Sequence, residues 1–358
     1  MERNVATLIF VLFSLVGSAF AQNDDDIKVQ TDEIKLNVSA FNQKGGFVPN
    51  VGVNDLVIIE DGRLNQPTSV RRIPANVLIV MDTGGEMRLA KDISLTRQTA
   101  KNIIASLAPE DSIALMDYND KPNVISEWTT DRNILTEALD TRLSFGIKDS
   151  FVDALKLATD MLRKSESDNR HLILISEGTD SIASNEQRNA AMRDLMTTNI
   201  NVHVLSYAGM EGKLAENRTK RLNKPNLRSA PPAEVNSTLP PGIQEVNRAA
   251  GTGLAINLDR KMAKVAKERV AAVESGKKFL KEISSNTSGL LIVPEDKEEM
   301  LSKGKLISSV IDSNYVVTYI PRRPLEESKP GEERIIEVAA KKPGLRASAK
   351  RIFVVGNN

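Results

Sequence analysis

Between Ala75 and about Pro294 the chain alternates two rhythms of apolar residues. "NVLIVMD", "SIALMDY", "HLILISE" and "NVHVLSY" are short runs, apolar on successive positions. Such runs suit strands buried on both faces of a sheet. Between them lie "LAKDISLTRQTAKNIIASL", "RNILTEALDTRL", "FVDALKLATDMLRK" and "NEQRNAAMRDLMTT". In these an apolar residue returns every three or four positions, the period of a helix with one covered face. Strands alternating with helices predict an α/β fold with a doubly wound, mostly parallel sheet flanked by helices. "NVISEWTT" reads as an antiparallel edge strand and "MAKVAKERVAAVESGKKFLKEISSN" as a further helix. "GLLIVP" then supplies the last strand of the sheet and "EEMLSKGKLISSVIDS" the closing helix.

At both ends the period shortens to two. "EIKLNVSAF" alternates apolar and polar residues, "NQKGG" turns, and "DLVIIEDG" is a second strand. The β pattern returns in "NYVVTYIP", "ERIIEVAAK" and "ASAKRIFVVG". Neither end alone offers enough strands to cover two faces, so the two are expected to pair into one small β-sandwich. The expected division gives residues 22–74 to the N-terminal part of that sandwich, 75–313 to the α/β domain and 314–358 to the C-terminal part. Residues 209–258 break the α/β rhythm. They are polar, proline-bearing and locally basic, and read as a disordered surface insertion.

Composition narrows the chemistry. The 358 residues carry a net charge of +1, so no global field favours nucleic acid or an anionic membrane. With no cysteine, disulfides, thiolate metal sites and a cysteine nucleophile are excluded. The two histidines, His171 and His203, read as satisfied core or edge residues and leave little for acid–base work. Residues 1–21 have the grammar of a secretory signal: Arg3, an apolar stretch from Val5 to Val16, then Ala19-Phe20-Ala21 before Gln22. The protein is therefore expected to be exported, periplasmic or secreted, with no membrane span in the mature chain.

The order and spacing of several segments resemble a von Willebrand factor A (VWA) domain protein, of the VWFA-related kind common in acidobacteria. "NQKGGFVPNVGVNDLVIIEDGRLNQPTSVRR" is similar to that family's opening module, "VLIVMDTGGEM" to its metal-loop strand and "FVDALKLA" to its third-helix motif. "LILISEGTD" matches its apolar strand and turn, and "FLKEISSNTSGLLIVP" with "SNYVVTYIP" its closing segments. The resemblance implies a site at the carboxyl ends of the strands. There a strand aspartate, two hydroxyls spaced Asp-x-Ser-x-Ser, a threonine and a third-loop aspartate surround Mg²⁺. Asp82 falls on the strand aspartate, Gly84 and Glu86 on the two hydroxyl positions, Asp149 on the threonine and Glu177 on the last aspartate.

Two readings of this set stay open. Asp82, Glu86, Asp149 and Glu177 form an all-carboxylate site, helped by Ser150, Ser176 or water; or the site has decayed and Gly84 merely keeps the turn. Carboxylates held together repel, which favours protonation or a bound cation. The candidate cofactor is a divalent ion, Ca²⁺ or Mg²⁺, and the longer glutamate arms suit Ca²⁺ better. Thr83, Gly84, Tyr118 and Ser150 make up the candidate partner-binding rim. The expected function is an exported protein-interaction module, adhesive or scaffolding, rather than an enzyme. The alternatives are a cell-envelope structural protein with a vestigial metal loop and a metal-dependent hydrolase, the latter without a histidine near the acids in sequence.

Overall fold

Unbroken apolar runs need cover on two sides, and the chain supplies it with helices. A computed structural model describes residues 33–85, 92–222, 233–245, 258–350 and 352–356; the expected leader and Glu86 lie outside the described residues. The chain opens with β1 (Ile34–Asn42), β2 (Leu56–Glu60), β3 (Arg63–Asn65) and β4 (Pro67–Arg71). The α/β part begins with β5 (Asn76–Asp82), α1 (Ile93–Ser106), β6 (Ser112–Tyr118), β7 (Pro122–Thr129), α2 (Arg132–Thr141) and α3 (Phe151–Arg163). It continues with β8 (Arg170–Ile175), α4 (Asn185–Met196), β9 (Asn201–Leu205), α5 (Ala208–Leu222) and α6 (Leu258–Asn286). After β10 (Leu291–Ile292), α7 (Lys297–Ser302) and α8 (Gly304–Asp312), the chain closes with β11 (Asn314–Tyr319), β12 (Glu333–Ala340), β13 (Leu345–Ala349) and β14 (Ile352–Val354).

The central sheet runs β10-β9-β8-β5-β6-β7, parallel except for the antiparallel edge strand β7. Its architecture is the doubly wound α/β arrangement expected. In β5, Val77, Ile79 and Met81 face a core shared with α1, α2 and α8, whereas Leu78 and Val80 face α3, α4 and α6. The chain leaves β5 for β6 on one side and later returns to β8 on the other. Asp82 therefore ends the strand at which the winding direction reverses, where such sheets open a crevice.

The flanking β strands form two further sheets, β13-β1-β11-β4 and β14-β12-β2-β3, each mixing strands from both ends of the chain. Leu36, Val38, Leu56, Ile58, Val317, Tyr319 and Ile336 are buried between them. One charge pair is enclosed there as well: Arg334 is 2.9 Å from Glu60 and donates to the carbonyls of Arg323 and Pro324, so its guanidinium is well supplied with acceptors. Lys350 joins this material to the α/β part by donating to the carbonyls of Met196 and Thr198 at the end of α4.

The insertion differs in part from the expectation of disorder. Its first stretch is helix α5, with Met210, Glu211 and Ala215 buried against α6, and one helical turn follows at Ala233–Asn236. A polar segment orders here because three side chains on one helix face find cover from α6, and that cover comes from a part of the chain distant in sequence. Residues 223–232 and 246–257 lie outside the described residues. Among the described residues no helix is long and apolar enough to cross a membrane.

Both histidines are fully buried near the amino end of the sheet, satisfied as expected. The Leu290 N–H lies 3.3 Å from His203 Nδ1, making that nitrogen the acceptor. His203 Nε2 then donates to His171 Nδ1 at 3.1 Å, and His171 Nε2 donates to Asn169 Oδ1 at 2.8 Å. The Asn169 amide completes the chain on the Ile73 carbonyl. This directional chain needs both rings neutral. Burial pushes His203 down to about 3 from 6.5, and burial plus the neighbouring ring push His171 well below its usual value.

The unfolded chain consequently takes up these protons first as pH falls, so this contribution is intact above about pH 6.5 and is lost progressively towards pH 3. Urea unfolding at a series of pH values should show stability declining below about pH 6.5, by up to ~1.4 kcal/mol per pH unit for each histidine. His203→Gln should weaken that slope. Equal stability at pH 7.5 and 5.5 would contradict the neutral chain.

Candidate functional site

Three carboxylates meet at the carboxyl ends of the central strands. Asp82 closes β5, Asp149 precedes α3 and Glu177 follows β8, and one oxygen of each lies within 4.8 Å of the others. All three are buried, at 1%, 2% and 0% exposure. That spacing is close enough for the three to share a divalent cation.

Local donors fix each acid. Tyr118 ends β6 and donates its hydroxyl to Asp82 Oδ2 at 2.8 Å, while its oxygen lies 2.6 Å from Ser176 Oγ. Ser176 Oγ donates to the same Asp82 oxygen at 3.2 Å, and the Gly84 N–H reaches Oδ1 at 3.2 Å. Burial, then Asp82, Glu177 and Asp149, raise the Tyr118 phenol well above its ordinary value, so it stays a proton donor. Thr179 Oγ1 bridges Asp149 Oδ2 at 3.1 Å and Glu177 Oε1 at 3.0 Å.

A positive charge reaches the same pocket from α6. Arg269 donates from Nη2 to Glu177 Oε1 at 2.8 Å and lies 3.8 Å from Glu211 of α5, itself fully buried. Burial works against the guanidinium charge, and Glu177, Glu211 and Asp149 outweigh it, raising the arginine above its ordinary value. Helix and loop approach closely enough for this contact because Gly276 and Gly178 face one another. A Cβ on Gly276 would stand 2.4 Å from the Glu177 carbonyl, and one on Gly178, at φ +75°, 2.8 Å from that of Gly276.

The donor set differs from the one the resemblance implies. Gly84 carries no hydroxyl, and a Cβ there would lie 2.0 Å from the Lys148 carbonyl oxygen and 2.7 Å from Asp149 Oδ1. The loop before α3 fills the space that a serine ligand would need. Position 84 therefore supplies none of the neutral hydroxyls that the resemblance implies for a small octahedral Mg²⁺ site. Glu86 lies outside the described residues.

The expected rim residues are inward rather than outward. Thr83, Tyr118 and Ser150 are buried at 5%, 0% and 1% exposure. Thr83 Oγ1 donates to the Tyr118 carbonyl, so these residues support the loops instead of presenting a surface. Beside the exposed Ser144, Lys148 and Ser181, the loops present three large apolar side chains. Phe145, Ile147 and Ile182 are 54%, 62% and 56% exposed. Their two loops are tied together: the Ser181 N–H donates to the Asp149 carbonyl at 2.8 Å and Ser181 Oγ accepts from the Asp149 N–H at 3.1 Å. Asp120 accepts from the N–H groups of Ile147 and Lys148, and Asp180 from those of Val152, Ile182 and Ala183.

Sequence reasoning missed Arg269, Glu211 and Thr179. A signal for Arg269 existed: it sits three residues after Ala266 and four before Val273, both 0% exposed, on the covered face of its helix.

Residues 77–179 match the family model for the von Willebrand factor type A domain, and the chain carries such a domain. A von Willebrand factor type A protein from Catenulispora acidiphila is similar over 91% of this chain and 73% of its own, at 12% identity and a TM-score of 0.45. BatB from Bacteroides thetaiotaomicron, a conserved hypothetical protein, covers 36% of this chain at 16% identity and a TM-score of 0.31, with 65% of its own length matched. The vWF domain of the type V pili tip protein Mfa5 from Porphyromonas gingivalis is 21% identical over 32% of this chain and 43% of its own, with a TM-score of 0.27. No curated protein matches the chain.

Because its neighbours at position 84 are backbone and a fixed carboxylate, Gly84→Ala should destabilise the protein by roughly 1–3 kcal/mol, as overpacking does. Gly84→Ser should cost at least as much and confer no hydroxyl ligand. Urea midpoints of the two variants unchanged from wild type would show that the loop before α3 yields.

Proposed function

We propose that the protein is an exported VWA-type protein-interaction module, adhesive or scaffolding, which engages a protein partner at the carboxyl-end rim of its central sheet. The observation that carries this reading is the trio of exposed apolar side chains, Phe145, Ile147 and Ile182, on two hydrogen-bonded loops. Large apolar groups held in water on a preorganised scaffold favour association, because contact removes them from water without ordering the loops anew. Export rests on the Arg3-led apolar stretch and Ala19-Phe20-Ala21.

Neither histidine is placed to serve a hydrolytic reading: His171 lies near the start of the strand that Glu177 follows, about 20 Å of extended chain away, and His203 is its buried partner.

Immobilised wild-type protein should capture its partner from the native envelope fraction, and Ile147→Asp combined with Ile182→Asp should weaken that capture at least ~10-fold. Both sites are exposed, so the double variant should keep its thermal stability within about 1 kcal/mol. Undiminished capture by the double variant would remove the rim from the interface. N-terminal sequencing of extracytoplasmic protein should begin near Gln22, and recovery only in the cytosol with Met1 retained would refute export.

A further inference from the structure

A second apolar surface lies at the opposite end of the molecule from the rim. In the sheet β14-β12-β2-β3, directly opposed residues share a face, and the pairs Glu337↔Ile59 and Ile59↔Leu64 set three side chains in one row. The alternation of β12 adds Glu333 and Ile335 to that face, while Ile58 and Ile336 turn into the sandwich core. Ile335 and Leu64 are 59% and 57% exposed. Glu333 and Glu337 stand in water on either side of Ile335, without an ion pair among the described residues. We infer that this face receives the rim of a second copy of the chain, so that copies join head to tail. The inference rests on the interaction reading of the rim and names its partner.

Charge decides the occupant. On the rim the acids are turned to the backbone: Asp120 accepts the N–H groups of Ile147 and Lys148 at 3.1 and 2.8 Å, and Asp180 those of Val152, Ile182 and Ala183. Lys121 and Lys148 beside them are exposed and carry no ion pair among the described residues. The rim thus offers Ile147 and Ile182 with two unpaired ammonium groups, and the sandwich face offers Ile335 and Leu64 with two unpaired carboxylates. Opposite charges around apolar groups bring the unlike surfaces together, whereas rim on rim or face on face sets like charges against each other. Ile335 and Glu337 also border a hollow of about 420 Å³ with Val338 and Ala347, where an apolar side chain can seat. The two surfaces cannot meet within one molecule. The rim loops follow the carboxyl ends of the central strands, whereas the sandwich joins their amino ends, where Asn37 of β1 donates to the carbonyls of Arg170 and Asn199. Contact between unlike patches at opposite ends leaves a free patch on each outer copy, so it propagates into a chain or ring instead of stopping at a dimer.

The test is sedimentation of the purified protein, with the chain itself as the probe. The average mass of the wild type should rise with concentration past that of a dimer, with a dissociation constant on the order of 10–100 μM. Raising salt from about 50 to 500 mM should weaken the association several-fold, because the steering charges are exposed. Ile147→Asp with Ile182→Asp should abolish it, and so should Leu64→Asp with Ile335→Asp. An equimolar mixture of these two double variants pairs the intact face of one with the intact rim of the other, and it should form a heterodimer and nothing larger. Lys121→Glu with Lys148→Glu should weaken self-association at least ~10-fold. If the Leu64→Asp, Ile335→Asp variant does not fold, Glu333→Lys with Glu337→Lys takes its place in the mixture. A wild type that stays monomeric up to about 500 μM would overturn the proposal. So would association that survives loss of either surface, or a mixture that remains monomeric. If the wild type is monomeric while the rim variant still loses capture from the envelope fraction, the interaction reading stands and only this partner is removed.

Discussion

A carboxylate at the end of a fully buried strand is tolerable only if donors or positive charge surround it, and Asp82 sets that demand for the whole carboxyl end of the sheet. Tyr118 and Ser176, from the strands on either side of β5, converge on one of its oxygens. The glycine turn supplies the other. Next to this knot, Thr179 ties Asp149 to Glu177, and Arg269 ties Glu177 to α6. The order of the loops follows from satisfying these acids: neighbouring carboxylates Asp120 and Asp180 bind successive backbone N–H groups and hold the exposed apolar residues in place.

The amino end of the same sheet solves a related problem with neutral groups. Two imidazoles, an amide side chain and two backbone groups form one directional chain from Leu290 to Ile73, with each ring both donating and accepting. The two ends thus differ in kind. One is a cluster of acids beside the loops, while the other is a chain of neutral groups. The sandwich is joined to the α/β part by Lys350, whose buried amine donates to the last carbonyl of α4 and to that of Thr198 just beyond it.

The backbone at position 84 departs from the hydroxyl pattern that the resemblance implies. Position 84 is glycine because the preceding loop of α3 lies directly against it, and that loop in turn carries Asp149 into the pocket. Moving the loop outward to admit a hydroxyl would separate Asp149 from Thr179. The close packing of Gly276 on Gly178 has the same character, since it trades side-chain volume for the approach of a charged helix face.

Strand and helix identity was legible in the chain because unbroken and three-to-four-residue apolar periods have different burial requirements, and those requirements are local. The runs ending in Asp82, Tyr118 and Glu177 therefore announced a parallel sheet with acids at its carboxyl end, and "NVISEWTT" announced its antiparallel edge. The sequence also placed Asp82, Asp149 and Glu177 in one pocket, through the resemblance of their segments. Only the tertiary structure decided which side chains meet them. Arg269 is 92 residues from Glu177 and lies in a helix not expected to reach the site, and Tyr118 and Thr83 turn inward where strand ends read as rim. A charge's partner depends on which helix crosses which loop and how near their backbones come. Here that distance is set by two glycines whose contact no one-dimensional pattern records.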